Sequence, residues 1–397
     1  MTQRVARPSE SHVSWHQATA FRLLRHHLSA RAPGEELLAV LREMGGAQSQ
    51  VLSAAQISVA ARTESVRMDD LESAVWEERS LTKAWCMRRT LYLLPSRDVA
   101  TFVRGSAGRA EREWLWMRNR GVSERQLEHL IQAVFEELDE PRTRTEMTAR
   151  VSRSLGLPLR REQGGGWGSR REVTCVRVGE VTCPSGYLLH LAGARGVICS
   201  GPNRGTETTF VRADQWLPRW RDVARDSAET ELLRIYLHAF GPAAPEDFAW
   251  WTGLRLTDVR AIWKRAEDKF APVMVEGWPA WVLKRDLPQL EKAATDTSTV
   301  RLLPFFDAFL LGHRERAHLV DAKHHHRVYR AQGWVAPAVI VDGRALGVWS
   351  HRSTPDRLRV RVELFAAVSR ATRTAVRAEA EELGRFLGLS HVETQFG

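Results

Sequence analysis

Two glutamines, Gln48 and Gln50, flank Ser49 in the segment GGAQSQ of a 397-residue chain. An amide is neither a usual nucleophile nor a usual general base, but its carbonyl oxygen accepts hydrogen bonds and its NH2 group donates them. Side chains at positions i and i+2 share a face only where the backbone is extended, and the preceding Gly45-Gly46 permits such a loop. From the spacing alone, the simpler interpretation is that both amides hydrogen-bond the backbone of a turn.

Other patterns that could support chemistry are weaker. His324, His325 and His326 are consecutive, so their side chains diverge, whereas zinc sites use spaced ligands. An exposed basic loop is the favoured interpretation, with metal binding as the alternative. The chain has no H-E-x-x-H, G-x-S-x-G or phosphate-loop motif. We therefore expect no metal and no cofactor.

The charge of the chain favours a polyanionic partner. Its 58 Lys and Arg residues exceed its 48 Asp and Glu residues by ten, and the sequence pI is near 10. A pI above about 9 is typical of a nucleic-acid-binding domain. The basic residues also cluster, with eight arginines in 142–171 and five Lys or Arg with five histidines in 313–330. Such clusters contact phosphates well, although a basic protein without a polyanionic partner is the alternative.

The elements that would position these residues are clearest near 225–285. Three helices are predicted there, and two short strands around a Gly277 turn follow them. The breaks and caps are Gly241-Pro242, Pro245, Gly253 and Thr257-Asp258. A helix, a helix–turn–helix and a hairpin wing constitute a winged helix.

The same order recurs at about 124–215. Two helices, at 127–138 and after Pro141, precede strands at 197–199 and 208–211 that flank a basic wing turn. The glycine-rich segment 164–168 lacks the Lys-Ser/Thr of a phosphate loop, so it predicts a linker or a wing turn.

A further copy fits 15–105. Its predicted helices lie at 17–28, 35–44 and 54–63, and its strands lie at 82–88 and 90–94. The predicted winged-helix domains are 15–110, with the GGAQSQ loop, then 120–218 and 225–290.

From about residue 298 the pattern changes to short strands. Apolar and charged residues alternate over 357–364, which indicates one buried and one solvated face. Asp342-Gly343 between apolar runs is a strong hairpin signal. An amphipathic helix over 373–389 is expected to end the chain. We predict a small β-barrel-like domain over 297–397, and hence an α+β fold of three tandem winged helices followed by this domain.

Six stretches of the chain, spread over about residues 20–350, form an ordered set. They are GGAQSQ with the alanine-rich helix after it, LTKAWCMRRTLYLLP, GVICSGPNRGTETTFV with DQW behind it, GPAAPEDFAWWTGL, LLPFFDAFLLGHRER and VYRAQGWVAPAVIVDGRALGVW. In this order they resemble the AlkZ/YcaQ-like winged-helix DNA glycosylases of bacteria.

The resemblance implies a C-shaped protein that cradles duplex DNA and removes N7-alkylguanine adducts, some of them from interstrand cross-links. The AlkZ branch carries a Gln–aliphatic–Gln motif, onto which Gln48 and Gln50 map, whereas the YcaQ branch carries Gln–x–Asp. In this chain Ser49 replaces the aliphatic residue, and Val51 stands where an acidic residue often follows. We assign Ser49 a role in shaping the substrate site.

The chemistry of the implied substrate explains the amides. N7-alkylation makes guanine cationic, so the base leaves without a general acid. Gln48 and Gln50 are then expected to place a water under C1′ and to support an oxocarbenium-like sugar. The motif places no lysine for a Schiff base, so we expect a monofunctional enzyme without lyase activity. Since a bulky adduct is awkward to flip into a tight pocket, an open cleft is expected.

The stretch GHRERAHLVDAK matches the place where the family sets a hairpin against the minor groove. The candidate DNA contacts are His313, Arg314, Arg316, His318 and Arg327, with Arg204 in the second wing. A solvated basic loop is the alternative.

The expected protein is a DNA glycosylase for duplex DNA that carries alkylguanine lesions, acting in repair or in self-resistance to a genotoxic antibiotic. We expect no membrane contact, because no apolar stretch approaches the about 18–20 residues that cross a bilayer. We also expect a cytoplasmic, nucleoid-associated monomer. Two alternatives remain open: a winged-helix transcription regulator and a protein that sequesters an alkylating compound.

Overall fold

A computed structural model of the chain describes residues 11–166, 169–178, 180–218, 220, 222–294 and 298–397. Helices and small sheets alternate along these residues in an α+β fold. No helix in these ranges is long and apolar enough to cross a membrane.

The first region, 11–118, contains the two glutamines. Its elements are β1 (Ser11–Val13), α1 (Trp15–Arg25), α2 (Leu37–Glu43), β2 (Ala47–Gln48), α3 (Leu52–Ala60), α4 (Met68–Trp76), β3 (Leu81–Trp85), β4 (Leu91–Pro95), α5 (Val99–Gly105) and α6 (Gly108–Arg118). Strand β4 lies between β2 and β3 in an antiparallel sheet, and it pairs Gln48 with Tyr92. The predicted strands at 82–88 and 90–94 are both present, but the first ends earlier, at Trp85, because a tight turn at Met87–Arg89 separates them.

The second region, 124–216, combines helices with two small sheets, and its first two helices begin with hydrogen-bonded caps. Its elements are α7 (Glu124–Glu136), β5 (Arg142–Thr143), α8 (Arg144–Ser154), β6 (Leu159–Gly166), β7 (Ser169–Val178), β8 (Val181–Pro184), α9 (Ser185–Ala194), β9 (Ile198–Arg204), β10 (Glu207–Arg212) and α10 (Ala213–Trp216). Ser123 caps α7 and Thr143 caps α8, each in a capping box with a Gln or Glu three residues on. Strands β9 and β10 lie where the sequence predicts the wing.

The sheet β6-β7-β8 was not expected from the sequence. Strands β6 and β7 are antiparallel, and Gly164–Gly166, part of the predicted linker or wing turn, belong to β6. The remainder of that turn, residues 167–168, lies outside the described residues.

The third region follows the predicted order of three helices and a hairpin. Its elements are α11 (Arg225–Phe240), α12 (Pro245–Thr252), α13 (Leu256–Arg265), β11 (Phe270–Val275), β12 (Trp278–Leu283) and α14 (Leu287–Glu291). Pro245 is at the start of α12, where it costs no hydrogen bond, and Gly253 ends that helix in the left-handed conformation. Strand β1 pairs in parallel with β11, so the start of the described chain adds a third strand to this hairpin.

The C-terminal region forms an open sheet rather than the barrel-like one expected. Its elements are β13 (Val300–Leu303), α15 (Ala308–Leu311), α16 (His325–Val328), β14 (Ala338–Val341), β15 (Arg344–Ser353), β16 (Arg357–Leu364), α17 (Arg370–Phe386) and β17 (His391–Phe396). The five strands follow chain order, which leaves β13 and β17 at opposite edges among the described residues.

The physical reason for the open sheet is α17, whose apolar side packs across it. Val376, Ala380 and Leu383 are buried in one cluster with residues of the sheet, and α17 contacts both β13 and β17. The helix covers a face that closure of the sheet would otherwise bury. The expectation that this helix ends the chain was wrong, since β17 follows it and pairs in parallel with β16.

Candidate active site

The loop that carries the two glutamines depends on its glycines. Gly45 and Gly46 have φ values of +77° and +80°, which side-chain-bearing residues rarely adopt. A Cβ atom on Gly46 would also lie 2.5 Å from Cδ2 of Leu94. The two glycines therefore turn the chain from α2 into β2 and let the backbone pass close to β4.

The three residues of the motif differ in exposure. Gln48 is 5% exposed and Ser49 is fully buried, whereas Gln50 is exposed. The Ser49 amide donates to the Leu91 carbonyl at 2.7 Å, so the extended pairing with β4 continues past Gln48. The buried Ser49 hydroxyl has no hydrogen-bond partner in the described structure. This position does not favour a direct contact between Ser49 and an adduct.

A guanidinium group that the sequence analysis missed lies against the motif. Nη2 of Arg88 is 3.4 Å from Oε1 of Gln48 and 3.1 Å from the hydroxyl of Tyr92. Because a guanidinium group only donates hydrogen bonds, it directs the amide oxygen of Gln48 toward itself. That oxygen has a second lone pair, which is left for another donor such as water.

The turn between β3 and β4 aims Arg88 at the motif. Arg88 and Arg89 have φ values of 54° and 63°, an uncommon conformation for arginine. Burial raises the pKa of the Tyr92 hydroxyl, and Arg88 acts in the opposite direction. Tyr92 therefore stays a neutral hydroxyl that helps hold the Arg88 side chain. Two adjacent arginines in a short hairpin connection are the sequence signal for this site.

An aromatic and basic rim continues from Arg88. Helix α12 packs on the turn, and a Cβ atom on Gly253 would be 3.4 Å from Cγ of Arg88. The guanidinium carbon of Arg316 lies 5.1 Å from the centroid of Trp250, an α12 residue that is 41% exposed. Burial lowers the pKa of Arg316, and Arg88 is among the charges that lower it further. Arg316, one of the DNA-contact candidates, therefore lies near Arg88.

A buried ion pair fixes the helix that follows the glutamines. Arg62, just after α3, and Asp307 are both fully buried and interact through two contacts of 2.7 and 2.9 Å. The hydroxyl of Ser58, within α3, donates to the same carboxylate at 2.6 Å. These contacts tie α3, which starts two residues after Gln50, to the C-terminal region.

Three other candidate DNA contacts are spread over the surface. The Arg314 side chain is 62% exposed, 3.9 Å from Glu315. Arg327 pairs with Glu363 at 2.9 Å, and Arg204 pairs with Glu146 at 2.6 Å. Exposed pairs of this kind are weak, so a phosphate can compete for these arginines.

The two histidine candidates pack against other parts of the chain. His313 is 3% exposed, with Nε2 3.0 Å from the Phe240 carbonyl oxygen, and the His318 ring stacks on Trp15 at 4.9 Å. Burial holds the pKa of both imidazoles well below the ordinary value. In this arrangement neither ring offers a positive charge to a phosphate near neutral pH.

The consecutive histidines do not converge. His324 stacks on Phe365 and His325 lies against Tyr329, with ring centroids 4.3 and 4.8 Å apart. Within the described ranges no three His, Cys, Asp or Glu side chains are grouped as metal ligands would be.

Comparisons with known proteins agree on one family. The family model for DNA glycosylase AlkZ-like proteins matches residues 41–386. An interstrand DNA cross-link repair glycosylase of Streptomyces sahachiroi is 33% identical over 391 residues, which cover 96% of this chain and 98% of that protein. The solved structure of the Streptomyces sahachiroi DNA glycosylase AlkZ is 30% identical, covers 97% of this chain and 100% of its own, and has a TM-score of 0.80. The chain therefore belongs to the AlkZ-like family of DNA glycosylases.

Proposed function

We propose that this protein hydrolyses the N-glycosidic bond of N7-alkylguanine in duplex DNA, in repair or in self-resistance to a DNA-alkylating compound. The observation that carries the proposal is the Gln48 amide held by Arg88 beside the exposed Gln50, at the edge of a basic rim. The relative from Streptomyces sahachiroi is named for interstrand cross-links, and we extend the proposed substrate to cross-linked N7-alkylguanine.

The proposed mechanism uses positioning rather than acid catalysis. Alkylated N7 gives guanine a positive charge, and cleavage of the bond to C1′ leaves that electron pair on a neutral base. The sugar then becomes cationic and requires water on its open face. The amide carbonyls of Gln48 and Gln50 can accept hydrogen bonds from that water, which releases a proton to solvent as its oxygen bonds to C1′, and the NH2 groups can donate to DNA oxygens. Preorganised dipoles of this kind stabilise the transition state without reorganisation.

We propose that the fold serves this chemistry as three winged helices, at 15–110, 120–218 and 225–290, and a C-terminal domain at 297–397 around a C-shaped cleft. The helices followed by the β3–β4, β9–β10 and β11–β12 hairpins support this division. The β1–β11 pairing adds residues 11–13 to the third unit. One chain carries every proposed catalytic group, so we propose that it acts as a monomer.

The proposed DNA surface runs along the rim near the motif. Arg88 and Arg316 supply positive charge, and the exposed indole of Trp250 can stack on an adduct or a base. Arg314, Arg327 and Arg204 are proposed as outer phosphate contacts. We assign His313 and His318 to packing, and Ser49 an indirect effect through the seating of the loop.

The proposal includes no lyase step. A lyase step would need an amine of lowered pKa as Schiff-base nucleophile, and Lys83 is the candidate to consider. It is 8% exposed, and burial lowers its pKa. Lys83 pairs with Leu93, whereas Gln48 pairs with the adjacent Tyr92. Neighbouring residues of a strand face opposite sides of the sheet, so Lys83 points away from the motif.

The test is an incubation of the protein with duplex DNA that contains 7-methylguanine. We expect strand breaks at the lesion only after alkaline treatment, and no protein–DNA adduct after borohydride reduction. Breaks without alkali would contradict the monofunctional assignment. A sequence-specific footprint on undamaged DNA without abasic sites would indicate a transcription regulator instead.

Replacing Arg88 by alanine is expected to lower the single-turnover excision rate about 10-fold, the effect of losing one hydrogen bond to a charged group. With protein in excess, the rate reports positioning of Gln48 rather than DNA affinity. Arg89→Ala is the matched control, because Arg89 pairs instead with Glu113 at 2.9 Å. If Arg88→Ala and Arg89→Ala excised at equal rates, Arg88 would have no specific role in the site.

A further inference from the structure

A cavity lies apart from the motif, where α1, the β11–β12 hairpin, the segment 313–318 and the turn between β14 and β15 meet. Its volume is about 510 Å³, within the usual range of small-molecule sites. Neither Gln48, Gln50 nor Arg88 lines it. The proposed glycosylase reaction therefore makes no use of this space.

One side of the cavity is an aromatic wall. Trp15 stacks on Trp278 with ring centroids 5.4 Å apart and planes inclined by 16°. The His318 ring stacks on Trp15 at 4.9 Å and 9°. Three nearly parallel rings that line one cavity match the flat shape of an aromatic ligand.

The aromatic wall is fixed by the surrounding fold. The Trp15 backbone amide donates to the Glu276 carboxylate at 3.0 Å, and β1 pairs with β11. Gly343, in the β14–β15 turn, approaches Thr19 of α1 so closely that a side chain there would clash. Because separate parts of the chain hold it, the cavity is already formed in the free protein.

The charged residues that line the cavity disfavour binding of an anion. Three carboxylates, those of Asp247, Glu315 and Asp342, line it together with one guanidinium, that of Arg344. Arg344 donates to the His318 carbonyl at 3.3 Å, so part of its donor capacity is used. Arg22 is a further cation near Trp15, but it is 3% exposed and donates to the Pro242 carbonyl. His313 and His318 stay neutral because burial lowers the pKa of each.

We infer that this cavity binds a small planar aromatic compound that carries no negative charge, at a site separate from the proposed DNA cleft. The ring of Trp278, which lines the cavity, supplies stacking surface, and the carboxylates favour a neutral or cationic ligand over an anion. Nucleotides and the DNA backbone are poor occupants, since a phosphate would meet the carboxylates of Glu315 and Asp342. The third carboxylate, that of Asp247, is 4% exposed and accepts hydrogen bonds from the backbone amides of Ala244 and Arg314.

The test measures binding of three acridines that differ in charge, by equilibrium dialysis of the full-length protein at about pH 8 without DNA. They are 9-aminoacridine, a cation; acridine-9-carboxamide, which is neutral; and acridine-9-carboxylate, an anion of nearly the same shape as the amide. We expect one molecule bound per chain, and an affinity about 10-fold or more lower for the carboxylate than for the other two.

Two variants locate the site. Trp278→Ala is expected to weaken binding of the carboxamide about 10-fold by removing stacking surface. Trp116→Ala should have no effect, because Trp116 is exposed on α6, outside the cavity. Glu315→Gln, at a side chain that is 87% exposed, should raise affinity for the carboxylate about 3-fold and leave the carboxamide unchanged.

Absence of binding would overturn the inference, as would equal affinity for carboxylate and carboxamide, or unchanged binding in Trp278→Ala. Excision of 7-methylguanine is measured on separate samples. Failure of the binding experiment therefore leaves the proposed function standing, and failure of excision leaves this site standing.

Discussion

Gln48→Ala and Gln50→Ala are each expected to slow single-turnover excision of 7-methylguanine by about 10²–10³-fold, the effect of deleting one preorganised hydrogen-bonding group. Gln48→Ala removes the amide that Arg88 holds in place, and Gln50→Ala removes the exposed amide on the same loop. The alkylated base still leaves as a neutral molecule, so a residual rate above the spontaneous one is expected. The measurement uses protein in excess over DNA.

Controls separate chemistry from folding and binding. Gln132→Ala is a matched amide deletion on the exposed face of α7, where Gln132 bonds only to Glu136 among the described contacts. This variant should excise at the wild-type rate. Affinity for undamaged duplex DNA should be similar in all variants, because an amide adds no charge toward the phosphates. Wild-type excision by both Gln48→Ala and Gln50→Ala would show that the motif is not the catalytic site.

Asp307→Ala is expected to lower the free energy of unfolding by about 3–5 kcal/mol, because it leaves the buried Arg62 guanidinium without its counter-ion. Both side chains have no exposed surface, and the carboxylate also accepts hydrogen bonds from Ser58 and from the Phe309 backbone amide. Since Ser58 belongs to α3, the loss also loosens the helix that follows Gln50. Urea unfolding monitored by circular dichroism measures the change.

The control for this variant is an exposed pair of the same chemistry. Asp222 pairs with Arg104 at 2.8 Å, and its side chain is 74% exposed. Asp222→Ala should cost less than about 1 kcal/mol, as exposed pairs do. The double variant Arg62→Met, Asp307→Leu should recover much of the loss, because no buried charge remains unpaired. If Asp307→Ala were no more destabilising than Asp222→Ala, the ion pair would not anchor α3.

Local signals in the sequence predict much of the fold. The β11–β12 hairpin and the helices of the third region follow from Gly277, Pro245 and Gly253, whose conformations are set locally. The parallel pairings of β1 with β11 and β16 with β17 were not foreseen. A strand of three residues with a partner some 260 positions away leaves no local pattern.

The candidate site was predictable only in part. Glycine pairs before an extended segment indicate the GGAQSQ loop, but Arg88 was read as the end of a strand. Its backbone is left-handed, in a turn against which α12 packs, and the sequence does not display that contact. His313 and His318 were predicted as DNA contacts, with a solvated basic loop as the alternative. In the fold, Arg314 is exposed, whereas His313 is buried and His318 stacks on Trp15, and a count of charges does not reveal which side chains face inward.

The central claim is that Gln48 and Gln50 direct water to C1′ of an N7-alkylguanine nucleotide. Its most direct test counts the free 7-methylguanine released and the abasic sites formed from a duplex that carries one lesion, by mass spectrometry of the same sample. We expect one released base for each abasic site with the wild-type protein, and neither product above the spontaneous level with the double variant Gln48→Ala, Gln50→Ala. Tight DNA binding by the wild-type protein with no released base, or undiminished release by the double variant, would contradict the claim.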